Sequence, residues 1–432
     1  MPKTTSAYAR AVLAAVMVLV LTSGAAVRGG TTSHEAAPHS GGAPTADNWP
    51  TYGGNLYNQR YSALDRITTG NVRGLKAAWS YHTGTFSAAT SFQSSPVVVD
   101  GVLYLTGPHS HVAALDARTG KELWQYVPHY DDLTKFPLCC GQVNRGVAVG
   151  GGKVFVAQLD AKLTALDQKT GGVLWSIPVG DPRQGYSETA APLYHDGRVY
   201  IGVAGGEYEV HGYVSAYAAA TGTMLWRFYT VPKPGEFGSA TWPAGSSIWK
   251  HGGGGVWMTP VLDPELGLLY ILVGNPSPDL DGAVRAGDNL FTDSIVALDM
   301  RTGQRRWHFQ QVHHDIWDYD PASPTMLFDT NANGTPVKGA GRGRQDRLAL
   351  RVESGHWRAS RAHRGEARAP GSAPVYVRHP AVRGHSSLRA ATVPSADRVL
   401  PAWRAVHPGQ SWWCAGTLPQ RQRRLGVVAP LL

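Results

Sequence analysis

The sequence lacks three features that define common classes of protein: a membrane-length apolar run, a haem attachment motif and evenly spread basic charge. The N-terminal apolar run, Ala11–Leu21, follows Lys3 and Arg10 and precedes small residues at 23–26. A membrane span needs about 20 apolar residues, so this pattern favours an export signal over residues 1–26 rather than an anchor. No cysteine follows it to carry a lipid. We therefore expect a periplasmic or secreted protein.

Cysteine is scarce, with three residues among 432, and no C-x-x-C-H sequence occurs. The missing motif excludes covalent haem attachment of the usual kind. Export implies an oxidising compartment in which a disulfide can persist. Residues 27–47 are rich in Gly, Ser, Thr, Ala and His, a composition that predicts a disordered lead-in.

The formal net charge of +9 comes from one segment. Residues 342–432 contain 16 arginines, no lysine and four acidic residues, a net charge of +12, whereas the rest of the chain has a net charge of −3. A uniformly basic nucleic-acid-binding protein is therefore not indicated.

One sequence phrase occurs four times. It consists of an apolar residue, any residue, Ala, an apolar residue and usually Asp, followed by Thr-Gly and then Trp. The four copies are Val112–Trp124, Leu163–Trp175, Val214–Trp226 and Ile295–Trp307. Regular recurrence indicates repeated supersecondary units, and short apolar runs with abundant glycine favour four-stranded β-propeller blades over helical repeats. We assign the four recurring tryptophans to packing between blades. The predicted fold is all-β, a partial propeller of about four to five blades over residues 48–343.

The phrase disappears after Gly343, and Arg, Ala, Pro and His dominate the segment 344–432. One interpretation is a disordered basic tail that binds polyanions. Another is an out-of-frame product, because a back-translation of Arg344–Arg351 read one base later gives Gly-Lys-Thr-Gly-Trp-Leu-Tyr-Val, a plausible blade strand. On either interpretation we expect an irregular tail without a packed blade.

Candidate chemistry is concentrated around the fourth repeat. Acids and amides follow Trp257 in Gly274-Asn275-Pro276, in Gly287-Asp288-Asn289 and in His313–Asp320. Many oxygen ligands in long loops suit a hard cation, although loop-capping Asx turns are the commoner explanation. His313 and His314 are predicted to be structural, because an oxygen-rich cation site does not favour imidazole.

The adjacent pair Cys139-Cys140 stands before Asn144-Arg145-Gly146. Adjacent cysteines can be two free thiols, half of a metal site or a vicinal disulfide. Metal sites usually need spaced ligands, and the third cysteine, Cys414, lies in the anomalous tail. The disulfide is therefore favoured, with the alternatives open.

Taken together, these motifs resemble the quinoprotein dehydrogenases that use pyrroloquinoline quinone (PQQ). The resemblance covers about residues 48–343. It rests on the cysteine pair with Asn-Arg-Gly, Gly205-Gly206-Glu207 with Gly212-Tyr213, Gly252–Trp257, Gly274-Asn275-Pro276 and His314–Asp318. It implies an eight-bladed propeller that oxidises a primary alcohol or a sugar with PQQ and Ca²⁺ or a lanthanide ion.

The resemblance also implies roles for individual residues. Asp318 would be the catalytic base, and the metal ligands would be Glu207, Asn275, Asp318 and Asp320, of which Asp320 is the acid typical of lanthanide-dependent members. The residues expected to contact the cofactor are Gln93, Cys139, Cys140, Arg145, Thr189, Ala204, Gly205, Gly206 and Trp257. Gln93 stands where many alcohol-oxidising members carry Glu.

The implied electron acceptor is an external cytochrome c or a membrane quinone, since the chain has no haem motif. The family builds eight blades, and an unclosed propeller leaves strand edges exposed. We therefore expect this chain to be poorly stable and inactive. Two rival hypotheses are a non-catalytic envelope propeller that acts as a scaffold and a fragment without function, but a scaffold gives no reason for the combination of Glu207, Asn275 and Asp318.

Overall fold

The computed structural model describes residues 47–84, 91–321, 323–332, 335–343, 349–353, 359–361 and 426–430. These residues form five antiparallel four-stranded sheets and one two-stranded sheet. In each four-stranded sheet the strands follow one another in chain order, which is the arrangement of a propeller blade. The predicted fold class is thereby confirmed.

The strands are numbered in chain order, and the five sheets are called blades 1 to 5. Blade 1 contains β2 (Val97–Val99), β3 (Val102–Thr106), β4 (Val112–Asp116) and β5 (Glu122–Tyr126). Blade 2 contains β6 (Ala148–Gly150), β7 (Lys153–Ala157), β8 (Lys162–Asp167) and β9 (Val173–Pro178). Blade 3 contains β10 (Leu193–His195), β11 (Arg198–Gly202), β12 (Tyr213–Ala218) and β13 (Met224–Tyr229). Blade 4 contains β14 (Val261–Asp263), β15 (Leu268–Val273), β16 (Ser294–Asp299) and β17 (Arg305–Gln310). Blade 5 contains β18 (Met326–Ala332), β19 (Thr335–Gly343), β20 (Ala349–Glu353) and β21 (Ala359–Arg361), while β1 (Ala77–His82) pairs with β22 (Gly426–Pro430).

The helices in the described part of the chain are single 3₁₀ turns in the connections. They are Val72–Gly74, Pro108–Ser110, Leu133–Lys135, Pro182–Gln184, Gly206–Tyr208, Ser239–Thr241, Ile248–Lys250 and Ala283–Arg285. None of them is long and apolar enough to cross a membrane. The predicted export signal and lead-in lie outside the described residues, apart from Asp47.

Blades 1 to 4 each have two kinds of end. The first and second strands are joined by tight turns with positive φ, such as Asp100-Gly101 and Gly151-Gly152, which match the right-handed twist of a hairpin. The third and fourth strands are joined by the Thr-Gly turns. Both kinds of turn lie at the same end of an antiparallel sheet, which we call the turn end. The longer connections, from second to third strand and from blade to blade, emerge at the opposite end, which we call the loop end.

The recurring phrase encodes the contact between neighbouring blades. The Trp226 indole N–H of blade 3 donates to the Met300 carbonyl of blade 4 at 3.2 Å. A side chain on Gly303 would meet the Trp226 ring at 2.5 Å, so the Thr-Gly turn must end in glycine there. Trp124 and Trp175 make the same donation to Gln168 and Ala219 of the following blades. This confirms the prediction that the recurring tryptophans pack between blades.

Buried apolar residues from neighbouring blades form shared cores. Tyr200 and Val214 of blade 3, for example, pack in one cluster with Leu269 and Val296 of blade 4. Leu327 and Ala340 extend this arrangement from blade 4 to blade 5. Burial of such side chains contributes about 1.5–3 kcal/mol each, so each blade is stabilised by its neighbours.

The segment after Gly343 differs from the prediction of an irregular tail without a blade. Strands β20 and β21 complete blade 5, pairing with β19 and with each other. Strand β22 pairs with β1, where Trp79 donates to Ala117 of blade 1 as the recurring tryptophans do for later blades. The prediction is therefore wrong for these three strands, because backbone pairing does not require the phrase. The rest of 344–432 lies outside the described residues, so its disorder and reading frame stay predictions.

Candidate active site

The predicted site residues lie in connections at the loop end of the blades. Thr189 and Trp257 are in connections between blades, and Ala204 and Asn275 follow the second strands of blades 3 and 4. Arg145 precedes the first strand of blade 2. Residues far apart in sequence share this end because the same two connections of every antiparallel blade emerge there.

Glycines allow the backbones of this region to approach one another closely. Gly274 N–H donates to the Gly255 carbonyl at 2.7 Å, and Gly254 N–H donates to the Asn275 carbonyl at 2.9 Å. A Cβ on Gly274 would lie 2.6 Å from Asp320 Oδ1, and a Cβ on Gly205 would lie 2.0 Å from a neighbouring carbonyl. The glycine-rich motifs are therefore requirements of packing around the site.

Arg145 contacts both Thr189 and Trp257. The Arg145 guanidinium donates to Thr189 Oγ1 at 2.8 Å and lies over the Trp257 ring, 4.8 Å from its centroid. Within the described residues, Arg145 has no ion pair with a carboxylate. Burial lowers the pKa of Arg145, while the charges of Tyr52, the cysteine pair and Asp320 oppose that shift. A half-buried guanidinium beside an aromatic face is suited to a planar anionic ligand.

The predicted metal ligands influence one another electrostatically. Burial, followed by the negative charge of neighbouring carboxylates, raises the pKa of Asp318 to about 7. The pKa of Asp320 is also raised to about 7, by burial and by Glu207, although Asn275 N–H donates to its Oδ1 at 3.0 Å. The negative charges of Asp320 and Glu207 thus contribute to the raised pKa of Asp318, and that of Glu207 contributes to the raised pKa of Asp320, because a like charge favours the neutral form.

These carboxylates do not form a complete set of metal ligands in the structure. Among the residues described, no three His, Cys, Asp or Glu side chains are close enough together to hold a metal ion. The assignment of a metal site therefore depends on two properties of the cluster. Its donors are oxygen atoms, which a hard cation prefers, and its carboxylates repel one another, a repulsion that a cation would relieve.

The cysteine pair departs from the prediction. No disulfide joins Cys139 to Cys140 in the structure, whereas the sequence favoured a vicinal disulfide. A hydrogen bond with Cys140, burial and the nearby charge of Glu207 raise the pKa of the Cys139 thiol, which keeps it protonated. Cys140 adopts φ of 61°, a strained conformation for a non-glycine residue. The charges of the cysteine pair and of Arg145 influence one another, whereas Cys414 lies outside the described residues.

Two further predictions can be placed on the structure. Gln93 is exposed, and its amide donates to Ser91 Oγ at 3.0 Å, so its predicted contact with the cofactor stays a prediction. His313 lies 3.6 Å from Asp288 and His314 hydrogen-bonds to the Gly287 carbonyl at 2.8 Å, which are structural contacts, as predicted.

Three polar residues of the site were not assigned a role from the sequence. Asn275 Nδ2 donates to Asp279 Oδ1 at 2.7 Å, and burial with the charge of Glu207 raises the pKa of Asp279 to about 6. Asp315 is fully buried and accepts from the Trp317 and Tyr319 amides at 3.0 and 2.7 Å. Arg285 is also fully buried. Asp279 lies four residues after Asn275, so a role for it at the site could have been suspected. Nothing in the sequence distinguishes Arg285.

Comparison with known proteins agrees with this geometry. Residues 49–341 match the PQQ family of glucose, ethanol and alcohol dehydrogenase β-propeller domains. A quinohemoprotein alcohol dehydrogenase, ADH-IIG, of Pseudomonas putida is 43% identical over 304 residues, which are 67% of this chain and 42% of that protein. The quinoprotein alcohol dehydrogenase PedH of the same species is 41% identical over 307 residues, 67% of this chain and 50% of that protein.

Solved structures give the same result. The structure of ADH-IIG superposes with a TM-score of 0.68 and 39% identity, covering 74% of this chain and 48% of that one. A europium-containing methanol dehydrogenase superposes with a TM-score of 0.68 and 32% identity, covering 72% of this chain and 57% of that one. The chain spans about half the length of the curated relatives that it matches. It belongs to the PQQ-dependent glucose, ethanol and alcohol dehydrogenase family of β-propellers.

Proposed function

We propose that this chain carries the cofactor and metal site of a PQQ-dependent dehydrogenase that oxidises a primary alcohol or a sugar. The observation that carries the proposal is the convergence of two groups at the loop end. One is the cationic and aromatic pair of Arg145 and Trp257, and the other is the oxygen-rich cluster that includes Asn275 and Asp318.

The residues present fit PQQ. Trp257 offers a planar face, and Arg145 has no carboxylate partner among the described residues, so its fork can pair with a carboxylate of the cofactor. The glycines at 205 and 274 let the surrounding backbone and Asp320 pack closely beside this site. When bound, PQQ supplies an electrophilic quinone carbonyl that accepts hydride from the substrate.

The residues also fit a hard cation. The donor set is made of carboxylate and amide oxygens, which Ca²⁺ and trivalent lanthanide ions prefer. Asp320 adds a carboxylate to the set of Glu207, Asn275 and Asp318, and one related structure contains europium. On general grounds we favour Ca²⁺ slightly over a lanthanide.

Asp318 is the proposed base. It is half-buried, and its raised pKa in the absence of a cation reflects burial and neighbouring carboxylates. A cation beside it would favour the ionised form at neutral pH. The carboxylate would then accept the substrate hydroxyl proton, and its contribution would come mainly from its position.

Export and electron transfer complete the proposal. The signal-like sequence at 1–26 supports a periplasmic or secreted location, and the resemblance to the family supports a cytochrome c or a membrane quinone as the electron acceptor. We also propose that turnover by this chain alone is slow or absent, since residues 344–432 lack the repeat phrase.

Cofactor binding tests the proposal directly. The purified chain is mixed with PQQ and either Ca²⁺ or La³⁺, and the absorbance of bound quinone and dye reduction with ethanol or glucose are recorded. Asp318→Asn should retain bound quinone, whereas Arg145→Ala should weaken its binding by at least about tenfold. Absence of quinone binding with either ion would refute the proposed function. Rapid dye reduction would refute only the proposed inactivity.

A further inference from the structure

Arg285 lies in the loop between β15 and β16 and is completely buried. Within this loop its Nε donates to the Pro278 carbonyl at 2.9 Å, and its Nη2 donates to the Asp279 carbonyl at 3.0 Å. Its Nη1 donates to Asn289 Oδ1 at 2.9 Å, while the Asn289 amide donates back to the Arg285 carbonyl at 2.6 Å. One guanidinium thus fixes the course of the loop that follows Asn275.

The same guanidinium reaches the connection between blades 4 and 5. Its Nη2 also donates to the main-chain carbonyl of Asp315, at 2.5 Å. The Asp315 carboxylate in turn holds the amides of Trp317 and Tyr319, which flank Asp318. Arg285 therefore joins the loop of one proposed metal ligand to the turn that carries the proposed base.

The loop that carries Asn275 and the segment that carries Asp318 also meet directly, because Asn275 N–H donates to Asp320 Oδ1 at 3.0 Å. A buried guanidinium bound to carbonyl groups of both segments supplies positive charge and directional bonds. Residues behind the ligands of metal sites orient those ligands and alter metal affinity.

We propose that Arg285 is a positioning residue that holds Asn275 and Asp318 in register for the cation. We call Arg285 with its four acceptors, Pro278, Asp279, Asn289 and Asp315, the loop clasp. The role assigned to the clasp rests on the proposed function, because it acts on the same cation. Arg285 itself touches neither the cation nor the substrate.

The test compares Arg285→Lys with Arg227→Lys. Lysine keeps the charge but cannot present a planar fork to several acceptors. Arg227 is a matched control, because it donates to the Val179 carbonyl and to Ser215 and Tyr217, none of which belongs to the site. Terbium luminescence sensitised by tryptophan gives the ion affinity of the unsubstituted chain and of both variants. Thermal unfolding in EDTA reports any general loss of stability.

The clasp predicts that Arg285→Lys weakens Tb³⁺ binding by about 10-fold or more. Arg227→Lys should leave Tb³⁺ binding unchanged, even where the two substitutions lower the stability of the chain by a comparable amount. Hydrogen exchange without metal provides a second measurement. The Trp317 and Tyr319 amides should exchange faster in Arg285→Lys than in Arg227→Lys.

Each outcome decides one claim. Equal Tb³⁺ affinities in the two variants would overturn the proposal for Arg285. If the unsubstituted chain binds no Tb³⁺, the proposed metal site fails, and the exchange of these two amides still decides whether the clasp holds the turn. Equal exchange rates in both variants would refute the clasp whether or not metal binds.

Discussion

Aspartates at the turn end and at the loop end of the blades have opposite environments. At the turn end, Asp299 accepts from the Arg301 and Thr302 amides, from the Thr302 hydroxyl and from Arg306, and these bonds lower its pKa to about 2. At the loop end, Asp318 is surrounded by other carboxylates, and its pKa is raised. At the turn end, ionised aspartate stabilises the chain through hydrogen bonds. At the loop end, the ionised form of Asp318 is unfavourable unless a ligand of opposite charge is bound.

The largest expected effect comes from removing a contact between blades. Trp226→Ala deletes a buried ring and its hydrogen bond to Met300, which should lower the free energy of unfolding by about 3–5 kcal/mol. Trp317→Ala is the control, because Trp317 is an exposed residue of the loop end, and its loss should be below about 0.5 kcal/mol. Denaturant titration measures both. Equal losses would mean that the two ends do not differ in their contribution to stability.

The next effect concerns the loop end alone. A bound cation should neutralise the repulsion near Asp318, and at a concentration about 100 times its dissociation constant it would stabilise the chain by about 2.7 kcal/mol. Thermal unfolding with and without La³⁺ or Ca²⁺ measures this gain.

Asp318→Asn should lose most of the gain from the cation, whereas Asp299→Asn, the matched substitution at the turn end, should retain it. A full gain in Asp318→Asn would show that the cation binds elsewhere.

A smaller effect distinguishes two glycines at the turn end. In Gly303→Ala a new Cβ would meet the Trp226 ring at 2.5 Å and φ is 73°, so both a clash and backbone strain oppose it. In Gly267→Ala φ is 66° but no atom lies within 4 Å of the new Cβ. We expect losses of about 2 and about 1 kcal/mol, measured by denaturant titration. Equal losses would show that the Trp226 ring moves aside without cost.

The sequence predicted the turn end better than the loop end. The Thr-Gly and Trp positions recur because each blade repeats one local contact, so a single chain displays the signal four times. The loop end is built once, from connections of different length. The oxygen-rich loops containing Asn275 and Asp318 were noticed from composition, but individual roles were predicted only through resemblance to a family. Arg285 was missed, because its four acceptors are mostly backbone carbonyls, which leave no trace in the sequence. The pairing of β22 with β1 was missed because it too is made by backbone groups, which the sequence does not reveal.

The smallest effect uses a natural exception at the turn end. Blade 3 has Ala218 where blades 1, 2 and 4 have Asp116, Asp167 and Asp299, and Thr221 stands where their threonines donate. Ala218→Asp should recreate these hydrogen bonds and raise the unfolding temperature at pH 7 by about 1–3 °C. Because such bonds lower the pKa of the folded carboxyl below its unfolded value, the gain should be present above about pH 4 and disappear as the pH falls towards 2.

Ala218→Asn separates charge from hydrogen bonding in that experiment. Its amide oxygen can accept the same N–H groups but does not titrate, so any gain in unfolding temperature should be smaller and should not change between pH 7 and pH 2. Thermal unfolding of both variants at the two pH values measures this difference. A gain in Ala218→Asp that survives at pH 2 would show that ionised carboxylates do not stabilise the turn end, and the contrast with the carboxylates of the loop end would then lose its electrostatic basis.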